Sequence, residues 1–169
     1  DVNMNRPCAV ASSDTSFLVM YGNNILEYEV NIENPSSASG WQQPTKWPQL
    51  QTLRRSWPGC IKMDKKVIVS GGYKIGILRS TEVLDLETRK IEYAGELATP
   101  RRWFHIIKIG EAGLERYLAM GGYDYDGSSS YFASVEEFDV DTLSWKPAEN
   151  LLEGRIYYGA VALERSLVC

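Results

Sequence analysis

The sequence lacks several features that would identify common classes of protein. It has one histidine and three cysteines in 169 residues, and no C-x-x-C pair, which excludes the usual zinc spacings and a dense disulfide framework. No apolar run approaches the roughly 18 to 20 residues that a membrane helix needs, and no signal-peptide pattern is visible. A net charge of −4 provides no basic surface for a nucleic-acid backbone. We therefore expect neither a nucleic acid nor a membrane as partner.

The three cysteines, Cys8, Cys60 and Cys169, are far apart in the sequence. Cys8 and Cys60 each lie in a short apolar stretch, where a free cysteine usually behaves as a small buried hydrophobe. We expect free thiols at these positions, with a disulfide as the alternative. Glycosylation sequons are also missing. The composition leans toward an intracellular, cytoplasmic location and leaves an extracellular one open.

What the sequence does contain is a repeat. An apolar run followed by two glycines and a tyrosine occurs as VIVSGGY at 67–73 and as YLAMGGY at 117–123, and a fainter copy, FLVMYGN, lies at 17–23. A Leu-x-x-x-Arg pattern and an acidic strand pattern recur with the same spacing. A period of about fifty residues is typical of arrays and propellers rather than of a single-copy fold.

Within each repeat, short β-rich runs alternate with turn residues. VIVS and YLAM are too short for helices and end at glycines. TEVLDLET predicts a strand that enters a turn, where Asp85 accepts backbone N–H groups and Thr88 closes the turn. RRWFHIIKI at 101–109 predicts another strand. No stretch has helical spacing with caps, so we predict an all-β chain with about four strands per repeat, whose glycines allow close approach of neighbouring sheets.

These motifs together resemble kelch repeats. The resemblance rests on Gly71-Gly72-Tyr73, then Glu82 and Asp85, an aromatic residue about twenty positions past the glycines, and a preceding Leu-x-x-x-Arg. It covers residues 6–163, and it departs from the pattern at Tyr21-Gly22 in the first repeat and at Ile91 in the second. It implies a kelch-type β-propeller with blades of four antiparallel strands. The predicted repeats are 6–50, 51–97 and 98–151, and a fourth begins within 152–169.

About three and a half repeats do not close a propeller ring. Sheet faces and strand edges would then remain unpaired, and such edges invite association. We expect either that the natural chain continues beyond Cys169 or that another chain supplies the missing blades. Unpaired blade faces would also allow self-association.

Arginines that precede the first strand of each repeat, with nearby aromatics, are the candidate binding residues. By family analogy that strand lines the centre of the ring, so guanidiniums at one mouth would suit carboxylates or phosphates on a partner. Tyrosine with arginine is common hot-spot chemistry. The predicted partner-binding residues are Arg54, Arg55, Arg101, Arg102, Arg155, Tyr73, Tyr123, Tyr125, Tyr157 and Tyr158. The alternative is that the arginines bond backbone carbonyls between blades.

Other polar groups have simpler interpretations. His105, the single histidine, is expected to be a structural, hydrogen-bonded residue. The stretch 121–130 alternates acids as a calcium loop does, but no acidic residue closes the loop at the required spacing. The acidic pair Glu82 and Asp85 recurs in the next repeat, which a single active site does not require, so we assign it to turn and inter-strand bonding. We expect no catalytic residue, no metal and no cofactor.

The function predicted from these features is a protein–protein interaction module that presents propeller loops and a central mouth to a protein or peptide. The resemblance implies roles such as a substrate adaptor or a cytoskeletal binder, and not an enzyme. One alternative is an extracellular adhesion or assembly protein that completes its ring by oligomerising. Another is a galactose-oxidase-like enzyme scaffold, which would need several histidine ligands where this sequence has one.

Overall fold

The computed structural model describes residues 7–31, 40–41, 47–51, 56–124, 130–156, 158 and 160. Within these ranges the chain forms fourteen β-strands and no helix, which confirms the prediction of an all-β protein. The same ranges hold no helix of the length and apolarity that a membrane crossing requires.

Twelve of the strands form three antiparallel sheets of four strands, each a simple meander in chain order. The first sheet consists of β1 (Cys8–Ala11), β2 (Ser16–Tyr21), β3 (Asn24–Glu29) and β4 (Gly40–Trp41). The second consists of β5 (Gly59–Met63), β6 (Lys66–Ser70), β7 (Thr81–Asp85) and β8 (Ile91–Ala94). The third consists of β9 (His105–Ile109), β10 (Arg116–Met120), β13 (Val135–Asp139) and β14 (Ser144–Ala148), with a hairpin of β11 (Tyr123–Asp124) and β12 (Ser130–Tyr131) inserted between β10 and β13.

Each of these sheets lies inside one of the predicted repeats, and no described strand is shared between two sheets. The inserted hairpin lies in the third predicted repeat, and residues 125–129 between its two strands lie outside the described part of the chain. One strand boundary was predicted wrongly. RRWFHIIKI was assigned as strand throughout, but β9 begins only at His105, because Trp103 has a left-handed backbone (φ 55°) that bends the preceding segment.

Two apolar clusters join the three sheets face to face. The first lies between the first and second sheets, and its buried members include Leu18, Met20, Val67 and Val69. The second lies between the second and third sheets and includes Ile68 from the same strand β6. Successive side chains of a strand point to opposite faces, and both faces of the second sheet are covered. A continuous apolar run such as VIV is therefore what β6 requires.

The paired glycines are packing positions, as predicted. Gly71 has φ +61°, and a Cβ atom there would lie 2.5 Å from the backbone oxygen of Arg101. Gly121, fifty residues later, has φ +62°, and its Cβ would lie 2.7 Å from the backbone oxygen of Arg155. In both sheets the glycine lets the segment that follows the sheet in the chain approach it closely.

The repeated carboxylates have the structural roles that were predicted. Asp85 accepts hydrogen bonds from the backbone N–H groups of Glu87 and Thr88 at 3.0 and 2.7 Å, and Asp139 makes the equivalent turn. These bonds to the charged form, led by the backbone bond from Thr88, lower the pKa of Asp85. Glu82 accepts from the backbone N–H of Gln51 at 2.6 Å and so ties the second sheet to the segment before it.

The expectation of free thiols at Cys8 and Cys60 was wrong. The two residues form a disulfide with a Cα–Cα distance of 6.0 Å. The bond can form because β1 and β5 contact each other where the first two sheets meet, which brings the two cysteines together. Both cysteines also pack against the first apolar cluster, which is the part of the expectation that holds.

Candidate functional site

The candidate site lies where the chain enters β5 and β9. These two strands contact each other, so the residues just before them are neighbours in space. Trp57 and Trp103 each stand two positions before a strand, and both have φ 55°. A bulky residue in the left-handed region is an outlier, and such strain is concentrated at functional sites.

Backbone pairing shows which residues of the two repeats correspond. Ser56 and Tyr73 exchange backbone hydrogen bonds of 2.9 and 2.7 Å, and Arg102 and Tyr123 do the same at 3.3 and 2.9 Å. Arg102 therefore occupies the position of Ser56 in the preceding repeat. The tryptophan and tyrosine at this site occur in both repeats, but the arginine occurs only in the later one.

Arg102 is enclosed by aromatic rings from both repeats. Its Cζ atom lies over the rings of Trp103, Tyr73, Tyr123 and Trp57, at 4.2, 4.9, 5.3 and 5.4 Å from their centroids. The rings also contact one another, with Trp57 edge-on to Trp103 at 5.4 Å and Trp103 stacked on Tyr123 at 5.3 Å. We call these five residues the aromatic cage. Cation–π attraction holds the guanidinium in place.

The charge of Arg102 is not neutralised inside the described part of the chain. No ion pair or side-chain hydrogen bond joins its guanidinium to a described residue, and its Nε atom is buried without a hydrogen-bond partner. The indole nitrogen of Trp57 is buried in the same condition. A buried group that stays unpaired costs about 1–3 kcal/mol, so a ligand that bonded to these atoms would remove that cost.

Arg101, the neighbouring residue, points into the protein instead. It is fully buried and pairs with Glu136 at 2.7 Å. Its other guanidinium nitrogen donates to the backbone oxygens of Gly121 at 2.8 Å and Ser134 at 3.0 Å. The pKa of Arg101 is lowered, because burial disfavours the charged guanidinium. The ion pair with Glu136 acts in the opposite direction and raises the same pKa. Its assignment to partner binding is thus corrected, because the side chain is buried. The guanidinium bonds backbone carbonyls, as the alternative supposed, but these belong to its own repeat and not to a neighbouring sheet.

Apart from Tyr158, the remaining predicted binding residues divide into three groups. Tyr73 and Tyr123 belong to the aromatic cage. Arg155 is exposed and pairs with Glu153 at 3.1 Å. The residues outside the described part of the chain are Arg54, Arg55, Tyr125 and Tyr157.

Tyr158 has an internal role. Its hydroxyl donates to the backbone oxygen of Met120 at 2.6 Å, and burial raises its pKa. His105, expected to be hydrogen-bonded, is exposed and places its ring edge-on to Tyr158 at 5.1 Å. Among the described residues, no group of three or more His, Cys, Asp or Glu side chains could hold a metal ion.

The sequence reasoning missed Trp57 and Trp103. A signal was present, because a tryptophan follows a polar or basic residue at the same position of two successive repeats, in SWPG and RWFH. The direction of each side chain could not be predicted, because a tryptophan in the sequence does not indicate a left-handed backbone at its position.

Comparison with known proteins supports the fold and does not identify a family. No protein-family model matches the sequence, and no curated protein sequence matches it. Among solved structures, it is similar to the one titled "Structure of YjhT", with a TM-score of 0.66 and 10% identity, covering 93% of this chain and 53% of that chain. The chain thus spans about half the length of that structure. At this identity the likeness concerns the fold alone.

Proposed function

We propose that the chain is a protein-interaction module and that its three sheets are blades of a kelch-type β-propeller. Two features support the propeller assignment: each sheet is a four-stranded meander, and the first strands β1, β5 and β9 contact one another in order. This is the arrangement that radially packed blades require.

The observation that carries the binding function is the aromatic cage around Arg102. Arg102 has no carboxylate partner among the described residues, and a planar guanidinium can bind a carboxylate through two parallel hydrogen bonds. The surrounding rings fix the guanidinium before binding, which reduces the entropy lost when a partner docks. Arginine, tryptophan and tyrosine are also the residues most enriched in binding hot spots. The partner is therefore a protein or peptide that presents an acidic side chain.

Selection from a displayed library of random short peptides tests this function. We expect the immobilised protein to enrich acidic peptides, and the affinity of these peptides to fall at least about tenfold in Arg102→Met, the loss of one strong charge-assisted bond. Added salt should weaken binding as well. The affinities are measured by fluorescence anisotropy.

Arg116→Met is the matched control. It removes the same charge from an exposed arginine on β10 whose partner is Glu137 at 2.6 Å, outside the aromatic cage. Acidic peptides should bind this variant as they bind the parent protein. Equal losses in the two variants, or a library that yields no binding peptide, would contradict the proposed function.

A further inference from the structure

A cavity of about 400 Å³ adjoins the aromatic cage, between the starts of β1, β5 and β9. Most of the residues that line it are apolar by type, including Ala9, Trp57, Pro58, Trp103, Phe104 and Ile106, and polar atoms make up nearly half of its exposed lining. Phe104 and Ile106 are buried members of the second apolar cluster, so the cavity has a packed floor. The volume falls within the range of ligand pockets, about 300–1,000 Å³.

The cavity and the aromatic cage share two walls. Trp57 and Trp103 both line the cavity and both contact the guanidinium of Arg102. A group that fills the cavity is therefore separated from the guanidinium of Arg102 by the indole rings of Trp57 and Trp103. The two sites can engage adjacent groups of one ligand.

The walls of the cavity are held in place before any ligand arrives. Cys8 and Cys60 both line it, and their disulfide fixes β1 against β5. Ala9, Gly59 and Ile106 line it from β1, β5 and β9. The left-handed backbone at Trp57 and Trp103 sets the directions of the indoles. A rigid site of this kind loses little entropy on binding.

We infer that this cavity binds an aromatic side chain of a peptide partner, adjacent in the peptide to the carboxylate that Arg102 binds. Among the described residues that line the cavity, His105 is the single titratable side chain, so an apolar group suits it better than a charged one. Arg102 supplies the charge complementarity for the neighbouring acid. This inference rests on the proposed function and specifies the ligand of the same surface.

The test uses three synthetic peptides: an acidic peptide with a phenylalanine next to an aspartate, a version with alanine for the phenylalanine, and a version with asparagine for the aspartate. Binding is followed by NMR titration of the full chain. We expect each replacement to weaken binding to the parent protein at least about tenfold, a typical minimum for losing one buried ring or one charge-assisted bond.

Ala9→Leu fills the cavity and Ala11→Leu is its matched control. Both alanines are exposed on β1, but Ala9 lines the cavity and Ala11 is not among its lining residues. In Ala9→Leu the replacement of phenylalanine by alanine should no longer change the affinity, whereas in Ala11→Leu the full effect should remain. Thermal unfolding of both variants verifies that each is folded.

The outcomes separate the two proposals. If asparagine for aspartate weakens binding but alanine for phenylalanine does not, Arg102 is a receptor and the cavity inference is overturned. If the ring matters in the parent and equally in Ala9→Leu, the ring binds elsewhere and the inference is also overturned. If neither replacement matters, both proposals fail. Should Ala9→Leu not fold, Ala9→Val with the same peptides replaces it, and an unchanged ring effect there counts against the inference.

Discussion

At the scale of single residues, adjacent arginines have opposite roles. Arg101 and Arg102 follow each other in the chain, yet Arg101 is buried in a network with Glu136 while Arg102 lies among four aromatic rings. The repeat explains Arg101: its backbone oxygen accepts from Gly72 N–H just as that of Arg155 accepts from Gly122 N–H. The backbone of Arg102 pairs with Tyr123 as that of Ser56 pairs with Tyr73, but the arginine side chain has no counterpart at Ser56, which is why we assign the binding role to it.

Arg101→Met should destabilise the fold strongly. The substitution leaves Glu136 buried without its cation, and breaking a buried pair in this way typically costs about 3–5 kcal/mol. Glu136 retains only the backbone N–H groups of Ala98 and Thr99, at 2.6 and 3.1 Å. The free energy of unfolding is measured by urea denaturation.

Arg155→Met serves as the comparison for that prediction. Its side chain is exposed and its ion pair with Glu153 lies in solvent, where such pairs contribute about 0–1 kcal/mol. We expect the free energy of unfolding to change by no more than that. A similar loss of unfolding free energy in the two variants would show that the buried ion pair is not the source of the stability that Arg101 contributes.

At the scale of elements, glycines decide how closely one sheet approaches the next. Gly121→Ala combines two costs: a left-handed backbone, about 1–2 kcal/mol for a residue with a Cβ, and a collision 2.7 Å from the backbone oxygen of Arg155. Two other glycines separate these costs. Gly113 has φ +83° with nothing within 4 Å, and Gly76 has open space and no left-handed angle.

The expected order of destabilisation is therefore Gly121→Ala, then Gly113→Ala, then Gly76→Ala. Gly76→Ala should fall within about 0.5 kcal/mol of the parent, as exposed substitutions usually do, and Gly113→Ala should show the backbone cost alone. Melting temperatures and urea midpoints give the three values. Equal losses of stability in Gly121→Ala and Gly113→Ala would mean that the close approach of the Arg155 backbone does not constrain Gly121.

Much of the element structure was readable from the sequence, because it depends on local chemistry. Two local signals are a glycine after a short apolar run and an aspartate shortly before the backbone donors of its turn. These signals correctly predicted β6, β7 and the turn at Asp85. The aromatic cage was not readable in the same way. It depends on the left-handed bend at Trp103 and on contact between strands of different sheets, which no local pattern encodes.

At the scale of the whole molecule, the sheets depend on one another. The second sheet has apolar contacts on both faces, through Val67 and Val69 to the first sheet and through Ile68 to the third. Stacked repeats gain most of their stability from such neighbour interfaces. The first sheet is also attached by the disulfide between β1 and β5 and by a hydrogen bond from Lys62 Nζ to the backbone oxygen of Ser12 at 2.9 Å.

Reduction of this disulfide should loosen the first sheet selectively. The bond joins residues separated by 52 positions. Closing a loop of that length lowers the conformational entropy of the unfolded chain, which raises its free energy by about 4 kcal/mol. In hydrogen exchange, we expect amides of β1 and β2 to lose protection after reduction while those of β9 and β10 keep it. The double variant Cys8→Ser, Cys60→Ser should reproduce this pattern and should not respond to reductant.

A thiol titration of the denatured protein checks the premise directly. With Cys8 and Cys60 bonded to each other, a chain of three cysteines should present one reactive thiol before reduction and three after it. Three thiols before reduction would mean that the two cysteines are close but not joined. Because both residues line the cavity beside the aromatic cage, reduction of the native protein should weaken binding of the phenylalanine–aspartate peptide, since one wall of the cavity would no longer be fixed to the next.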